Sequence, residues 1–251
     1  MKTLVRCLTV TLGAILAVSV APAQVGQTAR TPKASAPIDL SGTWVSLVTE
    51  DWRYRMVTPT KGDYYAVPMK SEARLIADAW DPSADEAAGN QCKSYGAPAF
   101  MRLAARFRFT WDGEKTLKVE SDAGMQTRLF HFEASAAAGM RTWQGNSVVQ
   151  WERPNPGRGT TAIEQPSGGW LKAVTNNLRS GYLRKNGVPY SEDAVLTEYF
   201  DIAARSTGPI LVVTAIIEDP KYLNQPFVVS SQFQKEVDAS KWDPTPCSAT
   251  W

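Results

Sequence analysis

The chain has 251 residues, 43% of them hydrophobic and 21% charged, which suits one domain with a substantial core. That composition excludes a disordered acidic tail, a collagen-like repeat and a multi-span membrane protein. The formal charge of +2 is accounted for by Lys2 and Arg6 near the N-terminus, so the remainder is neutral and gives no electrostatic case for nucleic acid or anionic lipid as a partner.

Residues 1–23 read as a secretory signal peptide. Lys2 and Arg6 form its charged start, residues 8–20 an apolar run too short to span a bilayer comfortably, and Ala21-Pro22-Ala23 a small-x-small cleavage site. This predicts a periplasmic or secreted protein with no stable membrane insertion after cleavage; an uncleaved anchor is the alternative. Cys7 precedes the apolar run, unlike a lipoprotein cysteine, and leaves with the leader. Residues 24–37, rich in Ala, Pro, Gln, Thr and Lys, read as a flexible linker, and residues 38–251 as a single β-barrel domain.

Within that domain, residues 44–49 and 52–57 read as a first pair of extended segments. Met69, Ala73, Ile76 and Trp80 fall on one helical face after Pro68, and Asp81-Pro82 stops that helix. Ser83 and Glu86 have capping-box spacing and predict a short second helical turn. Arg106-Phe107-Arg108-Phe109-Thr110-Trp111 then alternates in polarity at every step, as a half-buried strand does. Asp112-Gly113 is a hairpin turn into residues 116–120. Further strands are predicted at 126–132, 147–152, 171–175, 194–200, 210–217 and 227–235, with an exposed loop at 153–169. Residues 182–190, which carry Arg184, Lys185 and an Asn186-Gly187 turn, read as a solvated loop, with a basic lid over a barrel mouth as the other reading.

Such strands at hairpin spacing predict an all-β fold with one or two short helices: an antiparallel, lipocalin-like barrel of about 8–10 strands. The expectation is a hollow barrel with room for one small ligand; a sandwich would have a dry interior. Cys92 and Cys247 remain after leader removal, and an even count behind an export signal predicts a disulfide. Closing a loop of about 150 residues is worth about 5 kcal/mol at most. With one histidine, no clustered thiols and no C-x-x-C, no metal and no cofactor is predicted.

The segment Asp39-Leu40-Ser41-Gly42-Thr43-Trp44 is similar to the Gly-x-Trp opening of lipocalin-type barrels, in which the Trp plugs one end. The stretch Thr49-Glu50-Asp51-Trp52-Arg53-Tyr54-Arg55-Met56, with residues 62–64, 127–132, 181–191 and 218–223, also resembles a family of secreted bacterial proteins of unassigned function. The resemblance spans roughly residues 38–249. It implies a periplasmic or secreted β-rich domain and carries no activity with it.

Four places could hold chemistry. On a strand, Asp51, Arg53 and Arg55 would share one face, with Trp52 and Tyr54 opposite. That is either a solvated edge or a pair of guanidinium groups at the barrel mouth, able to fork onto a carboxylate, sulfate or enolate oxygen. His131, between Phe130 and Phe132, is either a hydrogen-bonded core residue or an acid–base group. Glu198 shares a face with Ala194, Leu196 and Phe200, so it needs a partner such as Arg108 or Arg128, or a raised pKa. It reads as a structural ion pair or as a general base. Glu218-Asp219-Pro220 is a turn. There is no G-x-S-x-G elbow, P-loop, dinucleotide fingerprint, H-E-x-x-H or EF-hand.

The leading functional expectation is therefore a secreted barrel binding a small, mainly apolar molecule with a polar or anionic group. Trp52, Tyr54, Tyr64 and Trp111 would supply its walls, and Arg53, Arg55 or Arg128 would hold the polar end. The alternative is a cofactor-independent lyase, hydratase or isomerase in the same cavity. It would use His131 or Glu198 as base and an Arg or Tyr for the oxyanion, and so needs these groups to converge on one void. A third possibility is an envelope interaction protein with a dry core and an exposed apolar patch.

Overall fold

The structure, a computed structural model, describes residues 30–133, 139–154 and 168–250. The predicted signal peptide, residues 24–29 of the predicted linker and most of the predicted 153–169 loop lie outside the described residues.

The described residues form eleven strands and a few short helices, in the order β1 (Gly42–Leu47), α1 (Trp52–Arg55), α2 (Ser71–Asp78), α3 (Pro82–Ala87), a 3-10 turn at Gln91–Tyr95, α4 (Ala97–Phe100), β2 (Arg106–Asp112), β3 (Thr116–Ser121), β4 (Thr127–His131), β5 (Asn146–Glu152), β6 (Trp170–Asn176), β7 (Gly181–Tyr182), β8 (Pro189–Tyr190), β9 (Val195–Ala203), β10 (Ile210–Glu218) and β11 (Phe227–Lys235). Nine of the strands close into a barrel, β1-β11-β10-β9-β6-β5-β4-β3-β2 and back to β1, while β7 and β8 pair separately. The all-β barrel expected from the strand pattern is therefore the fold.

The barrel is not antiparallel throughout. Neighbours in a closed ring can alternate in direction only if their number is even, so nine strands require a parallel contact. It falls between β4 and β5, with Phe130 opposite Ser147 and His131 opposite Val148. The connection from β4 must therefore return the chain to the end where β4 began.

Inward residues alternate along the strands as a pleat requires. They include Trp44, Phe107, Phe109, Leu117, Val119, Phe130, Leu171, Phe200, Leu211 and Phe233, all without solvent exposure. Phe107 stacks edge-on against Phe100 at 5.2 Å and Phe233 at 5.3 Å, and Phe200 against Phe130 at 5.4 Å and Phe109 at 6.1 Å. The hollow interior expected from the barrel is thus filled. A ring of this size is about as wide as its own side chains, and five phenylalanines from four strands occupy the middle. Trp44 sits inside the barrel, with its indole N–H donating to the Leu40 carbonyl at 2.9 Å.

One end is closed by the chain before β1. Residues 30–37, expected in the linker, lie against the β2–β3 turn and β5. Lys33 N donates to Glu114 O at 3.2 Å, Trp151 Nε1 to Pro32 O at 2.8 Å, and Arg153 Nη2 to Ser35 O at 2.9 Å. The other end is capped by two long connections, residues 48–105 between β1 and β2 and residues 177–194 between β6 and β9.

Three local expectations are corrected in this cap. Residues 52–55 are a helical turn rather than a strand: Asp51 adopts a left-handed conformation (φ 52°, ψ 28°) that ends the extended run, and Met56 N then bonds Trp52 O at 2.8 Å. The N-cap of α3 is Asp81, whose carboxylate accepts from Ser83 N at 2.9 Å, so the Ser83–Glu86 box is not the cap. Residues 181–190 are not solvated. The β7–β8 hairpin sinks into the cap, where Asn186 Nδ2 donates to Thr60 O and Asp63 O and Gly187 (φ 82°) abuts Trp80 so closely that a Cβ would come within 2.3 Å of it.

Candidate functional site

The two carboxylate and histidine candidates separate at once. On β4, Arg128 and Phe130 point inward, while Thr127 and Leu129 are exposed and His131 is half-buried with its Nδ1 3.4 Å from Thr116 Oγ1. Glu198 points inward from β9 and is fully buried. His131 and Glu198 therefore lie on opposite faces of the sheet and share no void, so the two cannot act on one substrate.

Glu198 has found a partner, Arg128. The guanidinium grips the carboxylate through both oxygens, Nη1 to Oε1 at 3.1 Å and Nη2 to Oε2 at 2.6 Å. Nη2 also reaches Thr175 Oγ1 at 3.1 Å, and Thr175 Oγ1 lies 2.7 Å from Ser147 Oγ. The rings of Phe130 and Phe100 flank the cation at 4.9 and 5.4 Å. A forked, hydrogen-bonded and aromatic-flanked pair with no exposure is a structural element of the core, although Arg128 Nε reaches no acceptor.

The residues expected to wall a ligand do not surround one space. Trp111 stacks on Phe132 at 5.7 Å near the β2–β3 turn, at the opposite end from the cap. Trp52 and Arg53 are exposed, with Arg53 paired to Asp63. Tyr64 is buried, its hydroxyl donating to Asp78 at 2.8 Å. Tyr54 and Arg55 alone face inward together, because one helical turn brings neighbours to the same buried side where a strand would have split them.

What they face is a cluster of buried cations. Arg55, Arg102, Arg184 and Lys185 are each at least nine-tenths buried. With Tyr54, Ser94, Ala99, Leu103 and Leu183 they line a small cavity of about 20 Å³ under the cap. Three chain segments deliver them: α1, the stretch after α4 and the β7–β8 hairpin. Arg55 bonds Arg102 O through Nε at 2.9 Å and pairs with Glu50; Arg102 Nη2 pairs with Asp51 Oδ2 at 2.8 Å. Arg184 is held by a carbonyl and a ring, with Nη1 2.8 Å from Tyr65 O and its guanidinium 4.0 Å over Tyr54. Lys185 Nζ donates to Tyr95 Oη at 2.7 Å.

The electrostatics of this cluster are unfavourable as they stand. Burial lowers the Arg55 and Arg184 pKa values to about 10, with Arg102 repelling each of them, and lowers Lys185 to about 7. Among the described residues, Arg55 Nη2, Arg102 Nη1 and Arg184 Nε reach no acceptor. Buried N–H groups on cations are costly to leave unmatched, so three of them around one cavity mark a place shaped for negative charge. Glu50 and Asp51 stand on the solvent side, each about a third exposed.

A larger open groove, about 610 Å³, lies beside the cavity and is lined by Val45, Val48, Met56, Ala104, Ala105 and Ala123 with Ser46, Arg106, Asp122, Asp243 and Thr245. Its Arg106 and Asp122 already have partners: Arg106 pairs with Glu236 at 3.1 Å, and Asp122 accepts from Arg106 N and Ala123 N. The groove therefore supplies volume and the cavity supplies unmatched chemistry. They share a wall, since Arg102 and Leu103 line the cavity and Ala104 to Arg106 the groove, with Arg55 and Met56 divided in the same way.

Arg102, Arg184 and Lys185 were not singled out as ligand-binding residues by the sequence. Arg102 sits in Met101-Arg102-Leu103-Ala104-Ala105, with no motif about it. Arg184 and Lys185 carried the one usable signal, a basic pair beside an Asn-Gly turn, which solvated loops also show. The disulfide between Cys92 and Cys247, expected from the cysteine count, ties the 3-10 turn under the cap to the C-terminal segment. Comparison of the chain with protein-family models, curated proteins and solved structures finds no match.

Proposed function

We propose that this barrel is an exported binding protein for a small molecule carrying an anionic group, with the anion held by Arg55, Arg102 and Arg184. The single observation behind the reading is the convergence of buried guanidinium groups with unmatched N–H donors on one cavity. The adjoining groove offers the rest of such a molecule an apolar wall of Val45, Val48, Met56 and Ala104. The cavity itself holds little more than a water-sized species, so a ligand enters as α1 moves outward. Asp51, a non-glycine residue in the left-handed region at the start of α1, is the natural hinge. The incoming anion then takes over from Glu50 and Asp51. Export is supported by the leader pattern and by a disulfide of the kind an oxidising compartment sustains.

The test is thermal shift of the mature chain against inorganic anions and aliphatic and aromatic carboxylates of increasing size. Carboxylates are expected to raise the melting temperature. Arg184→Met should abolish the response, with the ligand-free melting temperature measured alongside because Arg184 also bonds Tyr65 O and stacks on Tyr54. A flat response to every anion, or an unchanged response in Arg184→Met, would refute the reading.

A further inference from the structure

We infer that the end of the barrel opposite the cap holds a second, independent binding site, for a neutral sugar. One face of a pyranose ring lies on the indoles of Trp111 and Trp151, and its hydroxyl groups bond Asp39 and Lys33.

The chain before β1 crosses this end and leaves a groove of about 390 Å³ against β2 and β5. Small-molecule sites run from about 300 to 1,000 Å³, so the volume suits one or two sugar rings. The two sides of the groove differ in chemistry. β2 and β5 supply Trp111 and Trp151, each half-buried, while the incoming chain supplies Lys33, Asp39 and Ser41. The indoles are held in place without a ligand. Trp111 stacks on Phe132 at 5.7 Å with 23° between the planes, Phe132 meets Trp151 at 5.4 Å, and Trp151 Nε1 donates to Pro32 O at 2.8 Å. All three rings pack against the barrel core. Rings fixed from behind and open in front offer apolar area with little ordering cost.

The charges in the groove select against ions. A cation drawn to Asp39 meets Lys33, and an anion drawn to Lys33 meets Asp39. Neither group is locked into a strong pair: Lys33 Nζ lies 3.6 Å from Glu114 and Asp39 Oδ2 4.0 Å from Lys235, both at the surface. A carboxylate and an ammonium in one groove suit hydroxyl groups, which donate to the first and accept from the second in charge-assisted bonds. A hydrocarbon would leave both bonds unused. A pyranose meets both demands. The C–H bonds of one ring face, slightly positive at hydrogen, point at the negative faces of the indoles, and the hydroxyl groups radiate from the ring edge.

The experiment is isothermal titration calorimetry of the mature chain with glucose, galactose, maltose and cellobiose, and with indole, choline and acetate as probes of the other chemistries. At least one sugar is expected to bind saturably with a Kd of about 1 mM or below. Excess acetate should leave that binding unchanged, because the anion site lies at the other end of the barrel. Asp39→Asn should weaken it about tenfold, as loss of a hydrogen bond to a charged group does. That variant should keep the ligand-free melting temperature, since its side-chain oxygen can still accept from Ser41 N, as Asp39 Oδ1 does at 2.9 Å. Trp111→Ala should abolish binding. No saturable heat with any of the four sugars, binding of indole or choline in their place, displacement by acetate, or unchanged sugar affinity in either variant overturns the inference. None of these results depends on what the anion screen returns.

Discussion

Arg128 and Glu198 show what a pair of charges does in the middle of a filled barrel. Each has lost its water, and each is compensated by the other through two hydrogen bonds, with Ser147 and Thr175 nearby. Removing one partner strands the other. Glu198→Gln should cost about 3–5 kcal/mol in urea denaturation, and Arg128→Met a similar amount. The double variant Arg128→Met with Glu198→Leu should recover most of that loss, because an apolar pair of like volume carries no desolvation penalty. A double variant as unstable as the two single losses summed would show that the pair does more than satisfy itself. Asp219 plays a smaller role of the same kind. Read from the sequence as part of a turn, it is buried and accepts from Ser191 N, Ser191 Oγ, Lys221 N and Tyr222 N, which pins the chain before β9 to the chain after β10.

At the scale of elements, the cap is built from pieces too short to stand alone. α1 and α4 have four residues each, and β7 and β8 two each. Isolated turns of that length are not stable, so their order derives from tertiary contacts and from the Cys92–Cys247 bond. That bond joins positions 155 residues apart. Replacing both cysteines with alanine should lower stability by about 2–5 kcal/mol, read by chemical denaturation. The loss should also loosen the C-terminal segment, which supplies Asp243 and Thr245 to the groove and Ser248 to Tyr95. Faster limited proteolysis after residue 236 would report this. An unchanged digestion pattern would mean that side-chain contacts such as Arg108 over Trp242, at 4.6 Å, suffice to hold the segment.

For the molecule as a whole, buried ionisable groups set a distinctive response to pH. Lys185 is lowered from 10.5 to about 7 by burial, so between those two values the unfolded chain binds a proton that the folded chain does not. Stability therefore rises with pH across that window, the cost of burying the charged amine being fully present below about pH 7. Tyr182 and Tyr190 are pushed upward by burial, so above about pH 10 the unfolded chain loses protons that the folded chain keeps, and stability falls again. The denaturation midpoint should thus peak on the alkaline side of neutrality. Lys185→Met should flatten the rising limb. A midpoint that already falls between pH 7 and 9 would contradict this assignment.

The parts of the molecule legible in the sequence were those governed by local pattern. Arg106 to Trp111 alternates because one side of its strand meets the core and the other meets solvent, and the same logic located most of the barrel strands to within a residue or two. Helix α2 was visible through Met69, Ala73, Ile76 and Trp80. The failures came where short segments are shaped by distant neighbours. Residues 52–55 alternate like a strand, yet a left-handed Asp51 and the absence of further strand partners turn them into a helix. The hairpin at 181–190 looks solvated by composition, yet the barrel mouth needs something to fill it. No local rule brings Arg55, Arg102 and Arg184 together, since they are spread over about half the chain and meet only once the barrel has closed. The amino-acid order by itself determined the cysteine pairing and the all-β class, since each rests on composition or on a period of two. Only tertiary structure decided that nine strands need a parallel seam, that phenylalanine rings fill the centre, and that the cations gather under the cap. These follow from ring closure and from the volume left inside it, which no stretch of sequence encodes alone.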